Sequence, residues 1–385
     1  MKKISEKKEY FSKLFWIFCG LYLIYAFALS WNWGLMDDVK YIRWASEPGF
    51  SFTSLWHLIK EQYVDIGRYN VLGIFVKYLK YKALPQTTFA HRLWTVLEIA
   101  LILFIFLRFI AFKIFSQKSV AYFSAIVWMA AFCFRDGIDL YSIVEIQGLL
   151  FGLSAIVVAL SGKVTLGRIL ISSALCILAA LTKEPMISYF IVVGLIFFGK
   201  KKNALSLFPV GLFVLSAFLL MKGRQGYSGD FGSRIDISTF TSVPWAMIRN
   251  YHILVGLAGL ALIVRKVKLD WNCVAWSLGF CAYTGMTALW GTTDTFSYLH
   301  IPALPLLSIL FASVFQGEIV RTDKIFYPAL LAVSLVLIAQ TVRGGVRSYA
   351  YNQEADEVGK IATLSYGGQS DGRIWNNCYE AADTI

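Results

Sequence analysis

Two adjacent carboxylates, Asp37 and Asp38, follow an apolar run in the stretch "WNWGLMDDVKYIRW". A carboxylate placed there could accept a proton from an incoming hydroxyl. A second one beside it disfavours double ionisation, which is how such pairs acquire a base of raised pKa. Other ionisable groups recur at the ends of apolar segments. Arg68 and Tyr69 precede "NVLGIFVKYLKYKAL", and Arg135, Asp136 and Asp139 form "RDGID", with Glu145 one or two turns further on. Lys183 and Glu184 stand before Pro185, while Asp294 and His300 flank a later apolar run. Arg68, Arg135 and Lys183 could neutralise a phosphate, Arg through a two-pronged fork and Lys as a point charge. Fixed cations also hold the charge that develops on a departing phosphate.

Each of these has a plainer reading. The acidic pair also fits a solvated helix boundary, and Asp136–Gly137 supplies ordinary turn chemistry. Lys183–Glu184 also fits a local ion pair at a helix break, and His300 beside Pro302 a hydrogen-bonded structural histidine. Trp31, Trp33, Trp44 and Trp56 read as interfacial anchors.

The elements that must position these groups are membrane helices. Of 385 residues, 57% are hydrophobic and 16% charged, with a mean hydropathy of +0.61. A soluble domain carries about a quarter charged residues. The net charge of +12 falls in short clusters between apolar runs, a pattern of membrane topology rather than of a nucleic-acid groove. No CxxC, HExxH or GxxxxGK[ST] motif is present. Cys19, Cys176, Cys273 and Cys281 lie in apolar segments as small hydrophobes, and Cys133 and Cys378 could pair on one face.

Apolar segments occur near 14–33, 88–112, 119–134, 140–160, 168–182, 185–199, 204–221, 244–264, 271–290, 296–316 and 326–342. These predict an all-α polytopic integral membrane protein of about 11 transmembrane helices, with a transmembrane domain over 1–342 and a short polar tail over 343–385. Alternate connections carry Lys113 and Lys118, Lys163 and Arg168, "GKKKN", "RKVK", and Arg321 with Lys324. The positive-inside rule then puts the N-terminus in the cytoplasm and the C-terminus outside. The first outside loop, 34–87, holds two segments with helical apolar spacing, 51–63 and 67–84. They are expected to be amphipathic juxtamembrane helices, with Lys77, Lys80 and Lys82 snorkelling to water.

All the candidate groups then share the outside face. This layout resembles the GT-C glycosyltransferases, polytopic enzymes that use polyprenyl-phosphate-linked sugars. The resemblance rests on "MDDVKYIRW" after the first span, on the loop helix with Gly67–Arg68, and on the "F-A-x-R-L" element of Phe89, Ala90, Arg92 and Leu93. It also rests on "RDGIDLYSIVEIQGLLFGL" and on "ALTKEPM"; Gly67–Arg68, and with it Lys183–Glu184 in "ALTKEPM", is similar to bacterial members that decorate O-antigen or related surface glycans. It covers roughly residues 10–200, and "RYNVLG" stands where many members have "P-P-L".

The resemblance implies an inverting transfer of a sugar from a polyprenyl-phosphate donor to an acceptor hydroxyl of a surface glycan or lipid. Asp37 or Asp38 would be the general base, with Asp37 slightly favoured. Arg68, Lys183 and Arg135 would touch the donor phosphate, and Tyr69, Asp136, Asp139, Glu145, Glu184, Asp294 and His300 would line the same cavity. Relatives differ in needing a divalent cation; without a wider acidic cluster, transfer with no metal or other cofactor is expected. The competing readings are a transporter or flippase of lipid-linked or anionic substrates, which would place its charges near the bilayer midplane, and an O-antigen-type polymerase.

Overall fold

A computed structural model describes residues 10–29, 50–60, 70–85, 87–131, 144–223, 245, 251–265, 271–288 and 298–343. Among the described residues every secondary-structure element is a helix. Helix α1 (Tyr10–Ile24) runs on through a π-helical turn, Tyr25–Leu29. Helices α2 (Phe52–Lys60) and α3 (Val71–Ala83) occupy the two loop segments with helical spacing. Helix α4 (Thr88–Ile105) continues through a π-helical stretch, Phe106–Ala111, to Ile114. Then come α5 (Lys118–Met129), α6 (Glu145–Leu160) and α7 (Leu166–Thr182). A 3-10 turn, Glu184–Ser188, leads into α8 (Tyr189–Lys200), and another, Ala204–Leu207, into α9 (Phe208–Gly223). Helices α10 (His252–Arg265) and α11 (Trp271–Ala288) precede a 3-10 segment, Tyr298–Ala303, and α12 (Leu304–Arg321). Helix α13 covers Phe326–Arg343.

Long apolar runs with few interior breakers make these helices, and local side chains start several of them. Thr87 Oγ1 accepts the Ala90 N–H at 3.3 Å, Thr165 Oγ1 the Arg168 N–H at 3.4 Å, and Asn203 Oδ1 the Ser206 N–H at 3.0 Å. Each satisfies a donor that a helix start leaves open. The last turn of α5 solves the opposite problem with tertiary contacts. Its Met129 carbonyl accepts from Tyr22 (2.6 Å), Val127 from Tyr251 (2.9 Å) and the following Ala130 from Thr341 (3.3 Å). Three hydroxyls from α1, α13 and the start of α10 thus answer carbonyls that α5 cannot satisfy itself.

These contacts fix which helix ends lie together. The ends of α1 and α13, the start of α10 and the end of α5 share one end of the bundle. Lys113, Arg168 and Lys200 meet at the other end, around the close of α6, with Lys163 in the turn that follows it. The basic turns that follow α4, α6 and α8 therefore gather at one end of these packed helices.

Among the described residues, four helical segments are long and apolar enough to cross a membrane: Tyr10–Phe27, Phe89–Ile114, His300–Arg321 and Phe326–Arg343. Glu145–Leu160, Leu166–Thr182, Ala204–Leu220 and His252–Val264 are shorter apolar helices. Large apolar side chains such as Trp16, Leu97, Phe104, Ile171, Phe218 and Ile263 stand exposed on the outside of the bundle. Such a surface is suited to lipid and not to water. The chain is a helical membrane protein.

One buried cluster runs through the bundle, and a satellite of Leu55, Ile74 and Tyr78 joins α2 to α3. Helix α3 is held tightly against the bundle, since a Cβ at Gly73 would stand 2.6 Å from the Thr182 carbonyl oxygen and 3.3 Å from Val144. That packing corrects one expectation. Lys80 does not snorkel; it is buried and donates to Thr95 Oγ1 on α4 at 3.2 Å.

Candidate functional site

Glu145 opens α6. Its Oε2 accepts the Val144 backbone N–H at 3.0 Å, in the helix N-terminal position that favours a carboxylate. Lys183 terminates α7: its own N–H still bonds the Ala179 carbonyl, but its backbone is extended (φ −152, ψ 122). Pro185 two residues later cannot continue the ladder, and the chain turns through Glu184–Ser188 instead. That turn aims the Lys183 ammonium back at α6, where Nζ lies 2.8 Å from Glu145 Oε1. The two side chains are 12% and 1% exposed. The local pairing of Lys183 with Glu184 considered from the sequence is thus replaced by a pairing across helices.

Glu184 is buried, and its Oε1 has no hydrogen-bond partner among the described residues; the same holds for the buried Ser188 Oγ. Gly148 on α6 lets this turn approach, with a Cβ there standing 2.9 Å from Met186. Further along, the Tyr189 ring covers Gly152, and the Tyr189 hydroxyl donates to the Pro302 carbonyl at 2.7 Å. This bond ties the head of α8 to the segment that carries the buried His300. Glu145, Lys183, Glu184 and His300, singled out on separate stretches, therefore belong to one end of one group of packed helices. Asp37, Asp38, Arg68, Tyr69, Arg135, Asp136, Asp139 and Asp294 lie outside the described residues.

The structure adds polar residues that hydropathy reading passed over. Gln147 Nε2 lies 2.8 Å from both carboxylate oxygens of Glu98 on α4. His91 and Arg92 are buried near the start of α4, and the His91 ring lies 4.6 Å from that of Tyr81 on α3. Arg92, Thr95 and Glu98 recur at three-residue spacing, one helix face. Glu98 was visible as a lone carboxylate within an apolar run; Gln147, two residues after Glu145, carried no such signal.

The bundle is also shallow here. At 1.5 Å per residue, α6 and α7 are roughly 24 and 26 Å long, and α8 about 18 Å, against a hydrocarbon thickness of about 30 Å. Gln147 near the head of α6 meets Glu98 ten residues past the start of α4, so Glu145 and its partner Lys183 stand short of the end of that longer helix. Among the described residues no group of three or more His, Cys, Asp or Glu is arranged to hold a metal ion. Comparison of the chain with protein-family models, curated proteins and solved structures found no match.

Proposed function

We propose that this chain is a GT-C-type glycosyltransferase of the plasma membrane, with about 11 spans, a cytoplasmic N-terminus and an outside C-terminus. It would transfer a sugar from a polyprenyl-phosphate donor to a hydroxyl of a surface glycan or lipid. The observation that carries the reading is the buried Lys183–Glu145 pair at the end of the bundle opposite the basic turns. Ionisable groups at membrane depth are costly and mark substrate paths. A lipid phosphate approaching along the bundle reaches this depth, where Lys183 offers a cation whose direction is set by Glu145. Arg68 and Arg135 would add further phosphate contacts, and Asp37 or Asp38 would take the acceptor proton while the phosphate leaves. No metal is required in this scheme.

One feature favours a second reading. Glu98 lies ten residues into α4, about 15 Å along a helix long and apolar enough to span a bilayer. A carboxylate at that depth, bonded to Gln147, is what a carrier of lipid-linked or anionic substrates would use.

Reconstitution in proteoliposomes distinguishes the two. Wild type and the Asp37→Asn, Asp38→Asn and Lys183→Met variants would be offered a panel of polyprenyl-phosphate sugars with a surface-glycan acceptor. Transfer by wild type, lost in one Asp variant that keeps its thermal stability, supports the glycosyltransferase and names the base. Full activity in both Asp variants removes the proposed mechanism. Movement of a lipid-linked sugar across the bilayer without transfer establishes the carrier instead.

A further inference from the structure

We propose that the basic end of α6 is a binding site for the phosphate of an anionic phospholipid, formed by Lys113, Lys163 and Arg168 around Ser161–Gly162. The cations are gathered by the helix itself. Lys200 donates to the carbonyls of Ala159 (2.8 Å), Leu160 (2.7 Å) and Gly162 (3.4 Å), which uses its three N–H groups on the open end of α6. Arg168 donates through one guanidinium nitrogen to the carbonyls of Ser161 and Lys163, and Lys113 reaches Ser161 Oγ at 3.4 Å. Gly162, at φ +52, makes the tight turn that brings α7 and Arg168 back over the helix end.

Among the described residues no carboxylate stands within ion-pair distance of Lys113, Lys163, Arg168 or Lys200; the ion pair these residues do contain, Lys183–Glu145, is at the opposite end of α7. The crowding has an electrostatic signature. Burial, and then the neighbouring charges of Lys113 and Arg168, hold the Lys200 ammonium below its ordinary value of 10.5. An anion at this turn would relieve that repulsion. Lys200 is committed to carbonyls, which leaves Lys113, Lys163 and the rest of the Arg168 fork to meet it.

The surroundings select a lipid over free phosphate. Leu166, Leu170, Ile171 and Ile177 stand exposed on α7 from the Arg168 turn upward, and Phe104 and Phe109 are exposed on α4 above Lys113. A phosphate bound at the turn would have apolar surface beside it for acyl chains. Arg108, exposed five residues before Lys113 on α4, adds another cation at headgroup level.

The test uses the purified, delipidated full chain in neutral detergent. Binding of phosphatidylglycerol, phosphatidylcholine and water-soluble glycerophosphate would be followed by native mass spectrometry and by thermal unfolding. Preferential retention of phosphatidylglycerol with a raised unfolding midpoint is expected. Lys113→Gln/Arg168→Gln should weaken it roughly thirtyfold and Lys163→Gln alone about fivefold, from the usual increment per basic residue near an anionic surface. Lys163→Gln removes no side-chain bond among the described residues, so it reads binding even if the double variant fails to fold. Equal retention of the two lipids, or undiminished binding by Lys163→Gln and the double variant, overturns the proposal. An equal effect of glycerophosphate overturns the lipid assignment.

Discussion

Removing either member of the Lys183–Glu145 pair should have unequal effects, because the two groups are unequally buried. Lys183→Met leaves the Glu145 carboxylate 1% exposed, with the Val144 N–H at 3.0 Å as its remaining partner. An uncompensated buried charge costs about 3–5 kcal/mol. Glu145→Gln is milder. The new amide oxygen can still accept from Lys183, whose 12% exposure lets the ammonium recruit water, so roughly 1–2 kcal/mol is expected. Combining the two substitutions should restore most of what Lys183→Met loses, since the stranded charge is gone. The cysteines supply the assay. Cys176 and Cys273 are buried, whereas Cys281 is exposed and Cys19 partly so. A thiol-reactive fluorogenic dye would therefore show an immediate baseline followed by a rise as the bundle opens. On a midpoint scale of about 2–4 °C per kcal/mol, Lys183→Met should fall by on the order of 10 °C and Glu145→Gln by a few. Equal shifts in the two single variants, or a double variant worse than Lys183→Met, would refute the reasoning.

Three other outcomes follow from the packing. Gly152→Ala should lower the unfolding midpoint by several degrees, because its Cβ would meet the buried Tyr189 ring at 2.8 Å, whereas Gly167→Ala, with nothing within 4 Å, should be neutral or slightly stabilising in the same assay. Tyr189→Phe should cost about 1 kcal/mol and leave the Pro302 carbonyl without this donor, a loss measurable by thermal unfolding and by faster amide exchange next to His300. Lys200, below 10.5 when folded, binds fewer protons folded than unfolded between its lowered value and 10.5. Its contribution to stability should therefore rise with pH through that window, by a small amount given its partial exposure, and the rise should be absent in Lys200→Gln when midpoints are compared across alkaline buffers.

The helical architecture was legible because a bilayer imposes so few solutions. Apolar runs led directly to helices, and the turns after α4, α6 and α8, where Lys and Arg cluster in sequence, meet at one end. The pairing of charges was not legible. Lys183 and Glu184 are neighbours in sequence, but the break before Pro185 turns Lys183 toward Glu145 on α6 and leaves Glu184 buried without it. Lys80 misled for a similar reason: three lysines on an amphipathic segment read as water-facing until Gly73 lets the helix sit against Thr182 and Val144. Hydropathy reports how much a segment avoids water. It does not report which neighbour a polar side chain will find.

Helix α8 is enclosed along nearly its whole length by α6, α7, α9 and α11, and the turn at its head carries the buried Glu184. During synthesis α8 emerges well before α11, and before the Tyr298–Ala303 segment whose Pro302 carbonyl receives Tyr189. For that interval α8 and the buried turn before it are without part of their final enclosure. Completion of the packing here therefore depends on the arrival of the last third of the chain. Truncations before α11 should leave a protein that enters the membrane yet stays vulnerable to intramembrane quality control.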